Sequence, residues 1–347
     1  MEKKNKKLLL DLNFKQLQGL CLSLGQQKFR AEQIYSWLLL GADYEAMSNL
    51  PKSFLQQLEQ SYLTQSVFLK THQIAKDGTT KYLFELKCGG TVESVFLPNK
   101  YGNTVCISSQ VGCKFDCKFC ASALNGFSRN CSNGEILGQV IAVNRHKGGN
   151  VDKRAFCNIV LMGSGEPLDN YDNVLNFLHS ILDSKGLNFS NRNISLSTCG
   201  LVDKIKKLAD QNLGITLSIS LHATTDESRQ VIMPVAKAYS IKDILEAAKY
   251  YFDKTGRRVA FEYIMIKDLN TSHHDAVRLS QMTKQLSCHV NLINLNSVNE
   301  RNLKGVDSEH AKRFCQKLLD LGVSATIRRT QGQDIDGACG QLRNKFV

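Results

Sequence analysis

The sequence predicts an α/β fold: a partial (β/α)6 TIM-like barrel entered through a small helical unit and a β-hairpin extension. Three observations carry this. After Asn103, six apolar runs (TVCISS, NIVLMGSGEP, NISLSTCG, GITLSISLHA, RVAFEYIMI and HVNLINLN) alternate with six stretches of helical periodicity, the pattern of parallel strands covered by helices. Residues suited to chemistry fall just past those strands, at Gly165, Glu166, Ser197, Ser220 to His222 and Asn296. Convergence from many strand ends favours a barrel over an open doubly wound sheet. The chain before Asn103 follows different periods.

Residues 1–64 read as a helical accessory unit. FKQLQGLCLSL, KFRAEQIYSWLLL and LPKSFLQQLEQSY each show apolar spacing near 3.6, with Ser48 or Asn49 as a start signal and Pro51 early in the third helix. Residues 65–102 switch to β-rich runs, VFLKTHQIA, KYLFELK and VESVFLP, punctuated by Asp77-Gly78 and Gly89-Gly90, which are hairpin signals. Residues 103–347 hold the strand–helix repeats, whose helical members run from GEILGQVIAVNRHK to AKRFCQKLLDLG, and a C-terminal tail.

Composition bounds the function. A chain of 347 residues with 42% hydrophobic and 22% charged residues and only 4 Pro forms a real core and is not a disordered linker. A net charge of +12, from 44 basic and 32 acidic residues, favours a phosphate-bearing partner. The charged start lacks a signal-peptide pattern and no apolar run is long enough to span a bilayer, so a cytoplasmic protein is expected. In a reducing compartment twelve cysteines are not a disulfide framework; clustered ones point to metal or catalysis, and Cys21, Cys88, Cys131, Cys157, Cys199, Cys288 and Cys315 read as packing residues.

The cluster is CISSQVGCKFDCKFC. Cys113, Cys117 and Cys120, spaced CxxxCxxC, offer three thiolates from the loop after the first barrel strand. Structural zinc wants four ligands, usually two CxxC pairs, and no second pair exists. Three cysteines instead suit an iron-sulfur cluster with one iron left open. The loop, on its βα background, resembles the radical S-adenosylmethionine (SAM) superfamily. VESVFLP, CISSQVGC, GEPLDN, SLHA, NLINLN, DIDGACGQL and the N-terminal FRAEQIYSWL together resemble the RlmN/Cfr family of radical SAM RNA methyltransferases, closest to its adenine-C2 branch, over nearly the whole chain.

That resemblance implies a [4Fe-4S] cluster on Cys113, Cys117 and Cys120, and SAM contacts at Gly165, Glu166, Ser197, Ser220, Leu221, His222 and Asn296. The scarcely acidic C2–H of adenine defeats ordinary methyl transfer, and the family's answer is to methylate an enzyme thiol first. Carried onto this chain, the methylated residue is Cys339, the resolving thiol forming a transient disulfide with it is Cys106, and the proton acceptor is Glu93. The implied substrates are 23S ribosomal RNA at the peptidyl-transferase centre and the transfer RNA anticodon loop; the implied partners are a reducing system such as flavodoxin or ferredoxin, with the enzyme a monomer and no membrane. Candidate RNA contacts are MEKKNKK, Lys28 and Arg30 near Trp37, Arg328-Arg329, and Arg343 with Lys345. Ser297, where the family often has proline, and Cys199, where serine is frequent, depart from the pattern. Two alternatives stay open: Cfr-type methylation at adenine C8, which confers antibiotic resistance, and a non-catalytic metal-binding, RNA-binding module. Iron and sulfide against a single zinc separates the enzyme from the module.

Overall fold

A computed structural model describes residues 6–296, 298 and 300–342. Met1 to Asn5, Ser297, Arg343 and Lys345, singled out above, lie outside the described residues.

Strand β1 (Lys7–Leu8) leads into helices α1 (Phe14–Ser23), α2 (Arg30–Leu39) and α3 (Lys52–Ser61), and β2 (Tyr62–Leu63) pairs in parallel with β1. A capping box starts α1: the Asn13 side chain accepts from the Gln16 backbone N–H, and the Gln16 side chain accepts from that of Asn13. Pro51 is the cap of α3 and not a first-turn residue. Leu17 and Cys21, Ile34 and Leu38, and Phe54 and Leu58 repeat at i, i+4 and are all buried, each large apolar side chain contributing roughly 1.5–3 kcal/mol.

Strands β3 (Val67–Ile74), β4 (Thr80–Leu86) and β5 (Thr91–Leu97) form an antiparallel meander, and β6 (Thr104–Cys106) continues it. Then follow the short hairpin β7 (Gln110–Gly112) and β8 (Phe127–Asn130), α4 (Asn133–His146), β9 (Asn158–Leu161), α5 (Tyr171–Leu182), β10 (Ile194–Thr198) and α6 (Val202–Asp210). Next come β11 (Thr216–Ser220), α7 (Asp226–Ile232), α8 (Ile241–Thr255), β12 (Val259–Met265), α9 (His273–Thr283), β13 (Cys288–Asn294), α10 (Ser308–Asp320) and β14 (Ala325–Ile327).

One ten-stranded sheet runs β14-β13-β12-β11-β10-β9-β6-β5-β4-β3. From β6 to β14 every pair is parallel, so all the strand C-terminal ends open on one side, and the sheet does not close on itself. The partial barrel expected from the sequence is present. It gains a seventh parallel strand, β14, and a short helix, α7, whose three and seven residues are too few to show a period. Strand β6 is the seam, antiparallel to β5 on one edge and parallel to β9 on the other.

Candidate active site

Two cavities share a wall at the strand C-terminal ends. The first, about 960 Å³ including its open mouth, is lined by Cys113, Cys117 and Cys120 on one side and Gly165, Glu166, Ser197, Ser220 and His222 on the other. The second, about 720 Å³, holds Cys106, Asn296 and the tail around Cys339. Cys120, Met162, Arg328 and Cys339 line both.

The cysteine loop is held open by backbone devices. Gly112 has φ +77, and a Cβ there would sit 1.8 Å from the Gly126 carbonyl oxygen, so only glycine fits. The Cys120 N–H donates to the Cys117 carbonyl at 3.0 Å and the Lys118 N–H to the Ile232 carbonyl at 2.8 Å, tying the loop to the end of α7. The Phe119 ring meets the His222 ring edge-on at 4.6 Å. Burial pushes the Cys113 thiol up to about 12 and the Cys117 thiol well above its ordinary value, with neighbouring thiols adding to both. Three soft sulfur donors from one loop, all lining the same cavity, are a donor set that a cationic iron cluster stabilises. Among the described residues no three His, Cys, Asp or Glu side chains converge tightly enough for a single ion; a cubane, whose thiolates bind different irons, does not require that convergence. The donor set therefore fits the cluster.

Across the cavity, Gly165 has φ +100, and a Cβ there would lie 2.5 Å from the Gln110 Cβ. This close approach lets the Glu166 N–H donate to Gln110 Oε1 at 2.8 Å. The buried Glu166 carboxylate accepts from the N–H groups of Leu168 (3.0 Å) and Cys199 (2.7 Å). Burial raises its pKa against the pull of those bonds. His222 adopts φ +59; its Nδ1 accepts from the Ile264 N–H at 3.0 Å, and burial, aided by Arg229, pulls its pKa down to about 3. It is a neutral imidazole carrying its proton on Nε2. Leu221 is fully buried and does not line the cavity; its carbonyl accepts from Arg229 Nε at 3.1 Å.

The tail is stitched across the second cavity. Asn296 Nδ2 donates to the Cys339 carbonyl at 3.1 Å, the Ala121 N–H to the Gly340 carbonyl at 2.7 Å, and Ser122 Oγ to the Leu342 carbonyl at 2.9 Å. Asn296, expected as a SAM contact, thus lies on the second cavity and holds the tail. Cys339 is exposed and Cys106 is 8% exposed, both as free thiols. Burial pushes Cys106 up to about 12, the nearby Cys339 adds to this, and the Arg328 guanidinium opposes it. Glu93 is buried, 3.6 Å from Lys81 Nζ, and lines neither cavity. The register Val95↔Cys106 puts it one pleat from Val95 on the face carrying Cys106.

Several residues here were not singled out as site residues by the sequence. Cys199, read as packing, lines the first cavity. Arg328, read as an RNA contact, lines both cavities and sits 3.8 Å from the buried Glu262. Arg229 lies behind them, fully buried. The positions of Cys199 just past β10 and of Arg328 just past β14 were the available signal, with Arg229 on the short helix that follows β11; β14 itself was too short to read. Of the other RNA-contact candidates, Lys28 and Arg329 are exposed, while Arg30 Nη1 bonds Gln33 and the Asn49 carbonyl, and Trp37 Nε1 bonds Asn49 Oδ1.

Residues 107–279 match the model of the radical SAM superfamily, and residues 8–63 that of the ribosomal RNA large subunit methyltransferase N-terminal domain. Two relatives described as probable dual-specificity RNA methyltransferase RlmN are similar end to end. The Clostridium tetani protein is 44% identical, covering 98% of this chain and 96% of its own length. That of Clostridium botulinum strain Eklund 17B is 45% identical, covering 98% and 97%. The crystal structure of a radical SAM methyltransferase from Sphaerobacter thermophilus superposes with TM-score 0.92 at 36% identity, covering 97% of this chain and 99% of that one. With the cysteine loop, the strand-end cavity and the tail cysteine all in place, the chain belongs to the RlmN family of radical SAM methyltransferases.

Proposed function

We propose that this enzyme methylates carbon C2 of adenosine in 23S ribosomal RNA and in the transfer RNA anticodon loop, using Cys339 as methyl carrier. One observation carries this reading: Cys339 stands on the wall common to the two cavities, facing the cysteine loop and Glu166 through one and Cys106 through the other. A carrier must meet donor and acceptor in turn, and a residue on a shared wall does so without crossing solvent.

When bound by Cys113, Cys117 and Cys120, the cluster supplies the electron that breaks a carbon–sulfur bond of SAM and so provides the radical that takes hydrogen from the methyl on Cys339. The chain's own residues do the rest. Cys339, exposed in the cavity, is the nucleophile that accepts the methyl group. Once the methylene carbon is bonded to the base, the adduct gives up its unpaired electron to the one-electron reducing partner, Glu93 takes the C2 proton, and Cys106 attacks the Cys339 sulfur. The carbon–sulfur bond to RNA breaks with its electron pair on the methylene carbon, which takes a proton to become the methyl group; the disulfide formed is reset by an external thiol or reductase. Burial keeps Cys106 protonated until Cys339 is engaged, with Arg328 favouring its thiolate. Residues 1–64 serve as an RNA-binding accessory unit.

The test is anaerobic reconstitution, incubation with SAM, a reductant and unmodified ribosomal RNA, and mass spectrometry of the digested nucleosides, with Cys339→Ala in parallel. Methyl at C2 that vanishes in the variant is the expected result. Methyl at C8, or product unaffected by Cys339→Ala, would overturn the reading.

A further inference from the structure

Helix α7 carries no residue that the reading above uses, yet Arg229 on it is the largest fully buried side chain among the described residues. Nη2 donates to the Cys199 carbonyl at 2.7 Å and the Ser220 carbonyl at 3.1 Å, and Nε to the Leu221 carbonyl at 3.1 Å; Nη1 is buried without a hydrogen-bond partner. All three acceptors are backbone oxygens at the ends of adjacent strands β10 and β11, which frame the first cavity. Among the described residues no carboxylate takes the charge through a hydrogen bond; Asp226, on the same helix, and the thiols of Cys199 and Cys117 act on it through space. The same helix ends at Ile232, whose carbonyl accepts from the Lys118 N–H inside the cysteine loop. A buried cation without an acidic hydrogen-bond partner is costly unless an anion lies near, and the anion that this site is built to take is the thiolate-ligated cluster.

We propose that Arg229 is a positioning residue with two effects: its fork sets the spacing of the strand ends that hold SAM, and its charge compensates the cluster. Reducing the cluster adds one negative charge beside a buried positive one, so Arg229 favours the reduced form and raises the reduction potential. The inference rests on the cluster on Cys113, Cys117 and Cys120 and is independent of whether C2 or C8 is methylated.

The experiment is a potentiometric titration followed by electron paramagnetic resonance on wild type, Arg229→Gln and Arg229→Lys, with iron counted and SAM affinity measured in each. Wild type without four irons per chain would remove the cluster reading itself. With that in place, Arg229→Gln is expected to move the midpoint to more negative potential and to leave a several-fold smaller reduced fraction at a fixed reductant level. Arg229→Lys, keeping charge but not the three-carbonyl fork, is expected to hold the midpoint near wild type while weakening SAM binding. An unmoved midpoint in Arg229→Gln, or an equal shift in Arg229→Lys, would overturn the charge role. If Arg229→Gln holds no iron, Arg229→Lys decides: full iron with an unshifted midpoint supports the proposal, and iron lost in both variants reduces Arg229 to scaffold.

Discussion

Cys106 and His222 show how the same desolvation serves different ends. If Cys339 carries the methyl group and Cys120 holds the cluster, as proposed, Cys106→Ala removes the one remaining thiol among the described residues of the second cavity that can release RNA from Cys339. A covalent protein–RNA species should accumulate, visible as a denaturant-resistant band, while multiple-turnover product falls at least about 100-fold. His222 makes the opposite use of burial. Its pKa falls from 6.5 to about 3 in the fold, so the unfolded chain binds more protons at any pH between those values. Stability is therefore unaffected by this group above pH 6.5 and declines as pH falls toward 3, by about 2 kcal/mol at pH 5. Denaturant titrations of wild type and His222→Gln at neutral and mildly acidic pH should show that much less acid sensitivity in the variant. Residue identity alone did not give the direction of every side chain. Arg328 reads as a surface cation because arginine is usually exposed, and its inward direction depends on a three-residue strand with no visible period. Asn296, matched by motif to a SAM position, also hydrogen-bonds the tail, a contact that no local pattern announces.

At the scale of elements, the three N-terminal helices, the hairpin strands and six barrel helices were legible because each buries a face at a regular period, as α8 does with Ile244, Ala247, Ala248 and Tyr251. Two of the short elements that escaped, α7 and β14, position Arg229 and Arg328. Such short elements are stabilised by contacts that come from elsewhere in the chain, which a local pattern cannot encode. Glycine-dependent turns set the site as firmly as the strands do. Gly165→Ala demands a left-handed φ and a 2.5 Å approach to the Gln110 Cβ, costing about 2–4 kcal/mol locally. Calorimetry should find SAM affinity lowered at least about tenfold, with Gly148→Ala, open around its Cβ, as a comparison away from the cavity whose SAM binding stays near wild type.

On the scale of the molecule, the net charge of +12 predicts RNA affinity that falls steeply with salt. Raising salt from about 50 to 200 mM should weaken binding by about 100-fold or more in a filter-binding assay, with little effect on SAM affinity. Charge was readable at once from composition; where the RNA lies was not, because phosphate contacts need no motif. Strand β6, bonded on both edges, has a further meaning for how the chain can be taken apart. The sequence changes pattern near residue 103, which makes that point look like a place to cut. A fragment starting there would expose the β6 edge and strip Val95 and Leu97 from the wall around Cys106. Such a piece should aggregate rather than stand alone: extension and barrel were joined by completing one another's edges, and neither is a spare part.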